Sequence, residues 1–198
     1  MSSHDTIEAL LDELEAFGIA NDAGNTERGR RMLNITRDTG ELLAVLIQAR
    51  GARKVLEIGT SNGYSTLWLA RAVRPLQGMV VTVELAEDKF AMAQANIARA
   101  QLADVIEQKL ADAGEVLRGA ADGNHDLIFL DSARSQYEAW WSQLDRVLAS
   151  GGVLVVDNAS SHYGEMAQFL DGIRADARYT TCLVPVGKGE FIAVKQPA

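Results

Sequence analysis

Two periodicities alternate along the chain. In residues 5–17, Ile7, Leu10, Leu11, Leu14 and Phe17 stand three and four apart, which predicts an amphipathic helix with Asp5 as its cap. Residues 18–31, rich in Gly, Asn and Arg, read as a loop. A second helix is expected from about Asp38 to Ala49, with Leu42, Leu43, Leu46 and Ile47 on its apolar face and Gly51 ending it. From residue 53 short apolar runs alternate with longer amphipathic stretches. Strands are predicted at 53–58, 79–84, 104–109, 126–131 and 152–157, and helices at 63–73, 87–101, 112–121 and 135–149. A helix at about 163–175 follows. Two strands near 179–186 and 190–196 then form an antiparallel hairpin through Gly187 and Gly189. Such alternation predicts an α/β fold, a mostly parallel sheet with helices on both faces. No repeat, low-complexity segment or linker interrupts it, so residues 1–198 read as one domain, with the helices of 1–50 covering the site.

Composition narrows the class. A chain of 198 residues, 47% hydrophobic and 23% charged, has the balance of a soluble globular domain with a sizeable core. The formal charge of −8 argues against broad nucleic-acid contact, which calls for a basic face. Cys182 is the only cysteine, which excludes an intrachain disulfide and suits a reducing compartment. The opening MSSHDTIEAL lacks a basic segment followed by an apolar one, and no run suits a bilayer span. The expectation is a cytoplasmic protein without membrane or nucleic-acid partners, acting on a small molecule; a homodimer is left open.

Candidate chemistry begins at residues 53–66, RKVLEIGTSNGYST. The apolar run around Glu57 ends at Gly59, Gly63 follows, and TLWLARAV continues as a helix. A glycine turn between a strand and a helix lets a ligand approach the backbone and aims free N–H groups at it. The spacing from Gly59 to Gly63 is not the dinucleotide pattern G-x-G-x-x-G. Tyr64 after Gly63 also excludes a phosphate loop. Glu84 ends the next strand, where a carboxylate can accept ribose hydroxyls. E-x-G-x-x-x-G followed by that acid resembles motif I and its partner in class I S-adenosylmethionine (SAM) methyltransferases.

Two later strands also end in acids: DLIFLD at Asp131 and GVLVVDN at Asp157–Asn158. Continuous apolar runs mark strands buried on both faces, so acids at their carboxyl ends emerge at the ligand rim. If the strands are neighbours, three oxygen-bearing side chains converge. Such hard donors suit Mg²⁺ first, with Mn²⁺ or Ca²⁺ as alternatives. The competing reading makes each acid a cap of the following helix.

The sequence is identified by resemblance with the cation-dependent O-methyltransferases, the group of catechol and caffeoyl-CoA O-methyltransferases. The matching stretches lie within about residues 32–195: LNITRDTGELL, VLEIGTSNGYST, VVTVE, the A-D-A of 111–113, FLDSARSQY, VVDN and GEFIAVK. The resemblance implies a Rossmann-like methyltransferase fold of seven strands with an antiparallel carboxyl-terminal strand. It implies SAM as methyl donor, lined by Ile35, Glu57, Gly59, Thr60, Gly63, Tyr64, Ser65, Glu84, Leu85, Asp112, Ala113 and Asp131. It further implies a divalent cation on Asp131, Asp157 and Asn158, and a hydroxyl acceptor, phenolic or catechol-like. Glu190 matches an acid that holds a substrate hydroxyl, by a count back from Lys195. Tyr137 is expected beside the substrate.

One position departs from the family pattern. A lysine read as general base is expected three residues after the first metal aspartate, and this chain has Arg134 there. A guanidinium stays protonated and cannot take a proton. Arg134 can instead pair with a substrate carboxylate or phosphate, or lie solvated on the surface. His162, four residues past Asn158, is of a type suited to proton transfer near neutrality. The catalytic candidates are therefore Asp131, Arg134 and His162. Trp140 and Trp141 can wall an aromatic substrate, though neighbours on a helix cannot both face it. The rival readings are a metal-independent methyltransferase with Arg134 anchoring an anionic substrate, and a SAM-binding protein without turnover.

Overall fold

The computed structural model describes residues 3–197, with side chains from Thr6 onward, so the cap expected at Asp5 lies outside the described side chains. In chain order the elements are α1 (Ser3–Gly24), α2 (Arg37–Arg50), β1 (Lys54–Ile58), α3 (Tyr64–Val73), β2 (Met79–Glu84), α4 (Glu87–Arg99) and β3 (Ile106–Leu110). They continue as α5 (Ala113–Gly119), β4 (His125–Leu130), α6 (Tyr137–Val147), β5 (Leu148–Val156), α7 (Tyr163–Ala175), β6 (Tyr179–Val184) and β7 (Glu190–Lys195). The strands form one sheet in the order β3-β2-β1-β4-β5-β7-β6. The first five pair in parallel, and β7 runs antiparallel to both β5 and β6. No helix among the described residues is long and apolar enough to cross a membrane.

The strand pleat divides the core. Val55, Leu127, Phe129, Val153 and Val155 face one side, where Leu11, Leu43, Ile47 and Leu67 of the first three helices cover them. Leu56, Ile58, Ile128, Leu130, Leu154 and Val156 face the other side, against Leu117, Leu144, Leu170 and Ile173. Each such fully buried aliphatic side chain contributes about 1.5–3 kcal/mol relative to exposure. Helices on both faces explain why these strands read as continuous apolar runs.

Three expectations change. α1 runs on to Gly24, through residues expected to be loop. Polar side chains of that stretch are used: Asp22 accepts from the N–H groups of Met32 (2.7 Å) and Leu33 (2.9 Å), and Asn21 donates to the Arg30 carbonyl (2.9 Å). The extra turns thus anchor the chain that follows. Phe17, expected on the apolar face, is 44% exposed. β5 begins at Leu148 rather than 152, because Gly151 (φ +70°) allows a register shift against β4 between His125 and Leu127.

Candidate active site

Sheet register assembles the site. Ile58 pairs with Leu130, and Leu130 with Val156, so the next residues, Gly59, Asp131 and Asp157, emerge side by side. The backbone ladder continues past the strand ends: Gly59 N–H donates to Val83 (3.0 Å), Asp131 N–H to Ile58 (3.1 Å) and Asp157 N–H to Leu130 (3.0 Å). Between β1 and β4 the strand order reverses direction, the place where open α/β sheets bind ligands. A cavity of about 830 Å³ lies there. Gly59 is required at this point. Its φ is +108°, and a Cβ would stand 2.0 Å from the Asp131 carbonyl oxygen.

One end of the cavity is the glycine turn. Gly59, Thr60, Tyr64, Ser65, Glu84, Leu85, Asp112, Ala113 and Ile35, all expected at the cofactor, line it. The Glu84 carboxylate accepts from the N–H groups of Ser61 (2.8 Å), Leu85 (2.9 Å) and Ala86 (3.0 Å). A carboxylate offers about four acceptor positions, so one ribose hydroxyl fits without rearrangement and a second needs a shared position. Asp112 caps α5 by accepting from Glu115 N–H at 3.2 Å while also lining the cavity.

Glu57 and Gly63 do not line the cavity. Glu57 is fully buried, and its carboxylate takes hydroxyl hydrogen bonds from Ser65 (2.5 Å), Thr82 (2.6 Å) and Thr66. Burial pushes its pKa up to about 7, the hydroxyls only partly offsetting that. It clamps β1, β2 and α3 together behind the cavity wall. Gly63 (φ +88°) faces α4, where a Cβ would meet Ala93 at 3.4 Å.

The other end carries the acids. Asp131 and Asn158 line the cavity, with Asp157 buried beside them. Burial, then the neighbouring Asp157 charge, hold the Asp131 pKa well above the usual carboxylate range. The Asn158 amide nitrogen contacts Asp157 and lies 3.5 Å from Asp131, and turning the amide over would place its oxygen there. Two carboxylates and an amide oxygen are a hard donor set, and carboxylate repulsion is what a cation relieves. Asn158 is part of that set, and among the described residues no group of three or more His, Cys, Asp or Glu side chains is placed to hold a metal ion.

Glu190 and Tyr137 also stay off the cavity wall. β7 sits beside β5 with Phe191 opposite Val156, which drives Glu190 into the interior behind Asp157. There Thr39 donates to it at 2.9 Å, and burial followed by Asp157 pushes its pKa to about 10. Tyr137 is buried against Phe169, ring centroids 5.6 Å apart. Its hydroxyl accepts from Ser132 N–H (2.9 Å) and so holds the turn after Asp131.

Arg134, His162 and Trp140 line the cavity. The Arg134 side chain is only 5% exposed, which excludes the solvated reading, and its Nε donates to Glu165 at 2.9 Å. His162 is the N-cap of α7, with Nδ1 2.8 Å from the Ser161 hydroxyl. Trp141 points away, packing on Phe169 (5.7 Å) and Tyr179 (5.4 Å).

Residues 3–196 match the profile of the O-methyltransferase family. The chain belongs to that family. A catechol O-methyltransferase of Mycobacterium tuberculosis is 37% identical over 182 residues, covering 88% of this chain and 80% of the relative. Among solved structures, a Bacillus cereus O-methyltransferase in complex with S-adenosylhomocysteine (SAH) aligns at 27% identity and TM-score 0.77, covering 97% and 91% of the two chains. The Streptomyces achromogenes O-methyltransferase TomG in complex with SAM aligns at 28% and TM-score 0.73, covering 83% and 82%. This chain is therefore a SAM-dependent O-methyltransferase.

Several lining residues of this O-methyltransferase escape sequence reasoning. The segment Arg31–Asn34 forms one wall, held by Asp22, by the Ser61 hydroxyl on the Met32 carbonyl (2.8 Å) and by the Lys89 ammonium on the Arg31 carbonyl (2.9 Å). Ser132, Gln136 and Lys188 also line the cavity. Lys188 lies between two glycines in an expected hairpin, the only signal that marked it. Glu165 has none, since its partner is 31 positions away.

Proposed function

We propose that the enzyme moves a methyl group from SAM to a hydroxyl of a small phenolic or catechol-like molecule, with a divalent cation held by Asp131, Asp157 and Asn158. The observation that carries this reading is the single cavity joining the glycine turn and Glu84 to the strand-end acids. The catechol O-methyltransferase relative supports the acceptor class.

When bound, the methyl donor supplies a sulfonium methyl for in-line displacement, and the cation a Lewis acid that lowers the pKa of a phenol. The protein's own part is positioning. Glu84 receives ribose, Ile35, Leu85 and Ala113 give apolar walls, and Asp131 and Asn158 face the acceptor. Arg134 remains protonated, so it orients and does not deprotonate. His162 is the candidate proton acceptor.

Turnover of catechol with methyl-labelled donor, with and without chelator, tests the reading. Activity lost in chelator and restored by Mg²⁺ is expected, together with loss on Asp157→Ala. Full activity in excess chelator would remove the cation from the mechanism and favour the metal-independent reading.

A further inference from the structure

Beyond Asp131 the cavity changes character. The whole chain carries a charge of −8, yet this end presents Arg134 and Lys188. Burying a guanidinium is costly unless its donors are used. Arg134 has five N–H donors, and Glu165 takes the one on Nε. Among the described residues the Nη1 and Nη2 groups have no hydrogen-bond partner. The guanidinium therefore keeps its two-nitrogen end free while its side chain is almost wholly buried on the cavity wall. Ser132 lines the cavity as well. Lys188 lines the same cavity from the loop between β6 and β7.

We propose that this end is an anion subsite, and that the acceptor is a hydroxylated aromatic acid whose carboxylate is gripped by the Nη pair of Arg134. The free end of a guanidinium matches a planar carboxylate with two parallel hydrogen bonds. Positive groups outnumber negative ones here, since Arg28, Arg134 and Lys188 line the cavity and Glu165 alone answers Arg134, and the flat two-nitrogen end of the guanidinium fits the planar carboxylate. An arginine in place of a lysine thus selects the substrate and takes no proton. The proposal rests on the cavity being the acceptor site of the proposed function.

Calorimetry on the SAH-loaded full chain tests it without turnover, with 3,4-dihydroxybenzoate and the neutral 3,4-dihydroxybenzamide as probes. The parent is expected to bind the acid about 10- to 100-fold more tightly than the amide, the range of a charge-assisted bidentate contact. Arg134→Gln should bring that ratio near one. Arg134→Lys, which keeps charge but loses the fork, should fall between, and it carries the readout if the glutamine variant does not fold. A ratio within twofold in the parent, or one equally large in both variants, overturns the subsite. So does binding of neither probe to protein that binds SAH, which leaves the methyl-donor site standing. Failure of SAH itself to bind overturns the proposed function, and the subsite with it.

Discussion

Glu57→Gln should alter how stability depends on pH. Glu57 is fully buried and its pKa is raised from 4.5 to about 7, chiefly by burial. The folded state therefore holds a proton through a pH window in which the unfolded chain has released it. Unfolding free energy falls with pH wherever the folded state binds more protons. The stabilising effect of the protonated acid is complete below 4.5 and is lost as pH rises through about 7. At 1.36 kcal/mol per pH unit the total loss is about 3 kcal/mol. Glutamine keeps the shape and hydrogen-bonding capacity but cannot ionise, so its Ser65, Thr66 and Thr82 contacts become independent of pH. Urea unfolding of parent and variant from about pH 5 to pH 8 measures the effect as a difference, which cancels groups common to both, such as His125. His125 works in the opposite direction, because burial lowers its pKa to about 4 and the folded state loses stability as pH falls below 6.5. Because pH 5 already lies above 4.5, the parent should lose about 2.5 kcal/mol of that total relative to Glu57→Gln across the range. A pH-independent difference would refute the reasoning and mean that Glu57 is ionised throughout.

Gly59→Ala combines a left-handed φ with a Cβ against the Asp131 carbonyl, so a loss of about 2–5 kcal/mol and a melting point at least about 5 °C lower are expected. Gly164→Ala, where a Cβ meets nothing within 4 Å, should be neutral or stabilising in the same melts, and equal effects would contradict the site geometry. Glu84→Ala should weaken SAH binding by about 1.5–3 kcal/mol in calorimetry, through the lost ribose contact and the freed Ser61 N–H. Asp22→Ala should release the Arg31–Asn34 wall and speed tryptic cleavage after Arg28, Arg30 and Arg31, with SAH restoring protection; unchanged cleavage would show that Asp22 does not hold it.

The sheet, its parallel order and the convergence of Asp131 with Asp157 were legible because βα alternation and strand-end acids are local signals. Their meeting needs only that the strands be neighbours. What was not legible depends on which way a side chain leaves its strand. Glu57 and Glu84 are both strand acids, but Glu57 lies one residue before the end of β1 and turns into hydroxyls supplied by α3 and β2. Gly63 looked like a ligand contact and serves the crossing of α4. Glu190 was placed by counting, and the insertion of β7 beside β5 carries it inside. Helix α1 was cut short because its last turns are polar, and those polar groups turn out to tie down a cavity wall.

The position of β7 bears on how the enzyme is made. β6 reaches the rest of the sheet only through β7, which comes after it in the chain. During synthesis β5 therefore presents an open edge until residues 190–195 leave the ribosome. The same stretch of chain supplies backbone to the acid end: Ala159 N–H donates to the Gly189 carbonyl (2.7 Å) and Ser161 N–H to that of Lys188 (3.1 Å). A nascent chain can build its glycine turn early, but the segment after Asn158 has no backing until the last strand docks. Completion of the acid end is thereby a late event in biogenesis, and a ribosome stalled before β7 leaves a chain with a formed glycine turn, an exposed apolar strand edge and an unfinished acid end.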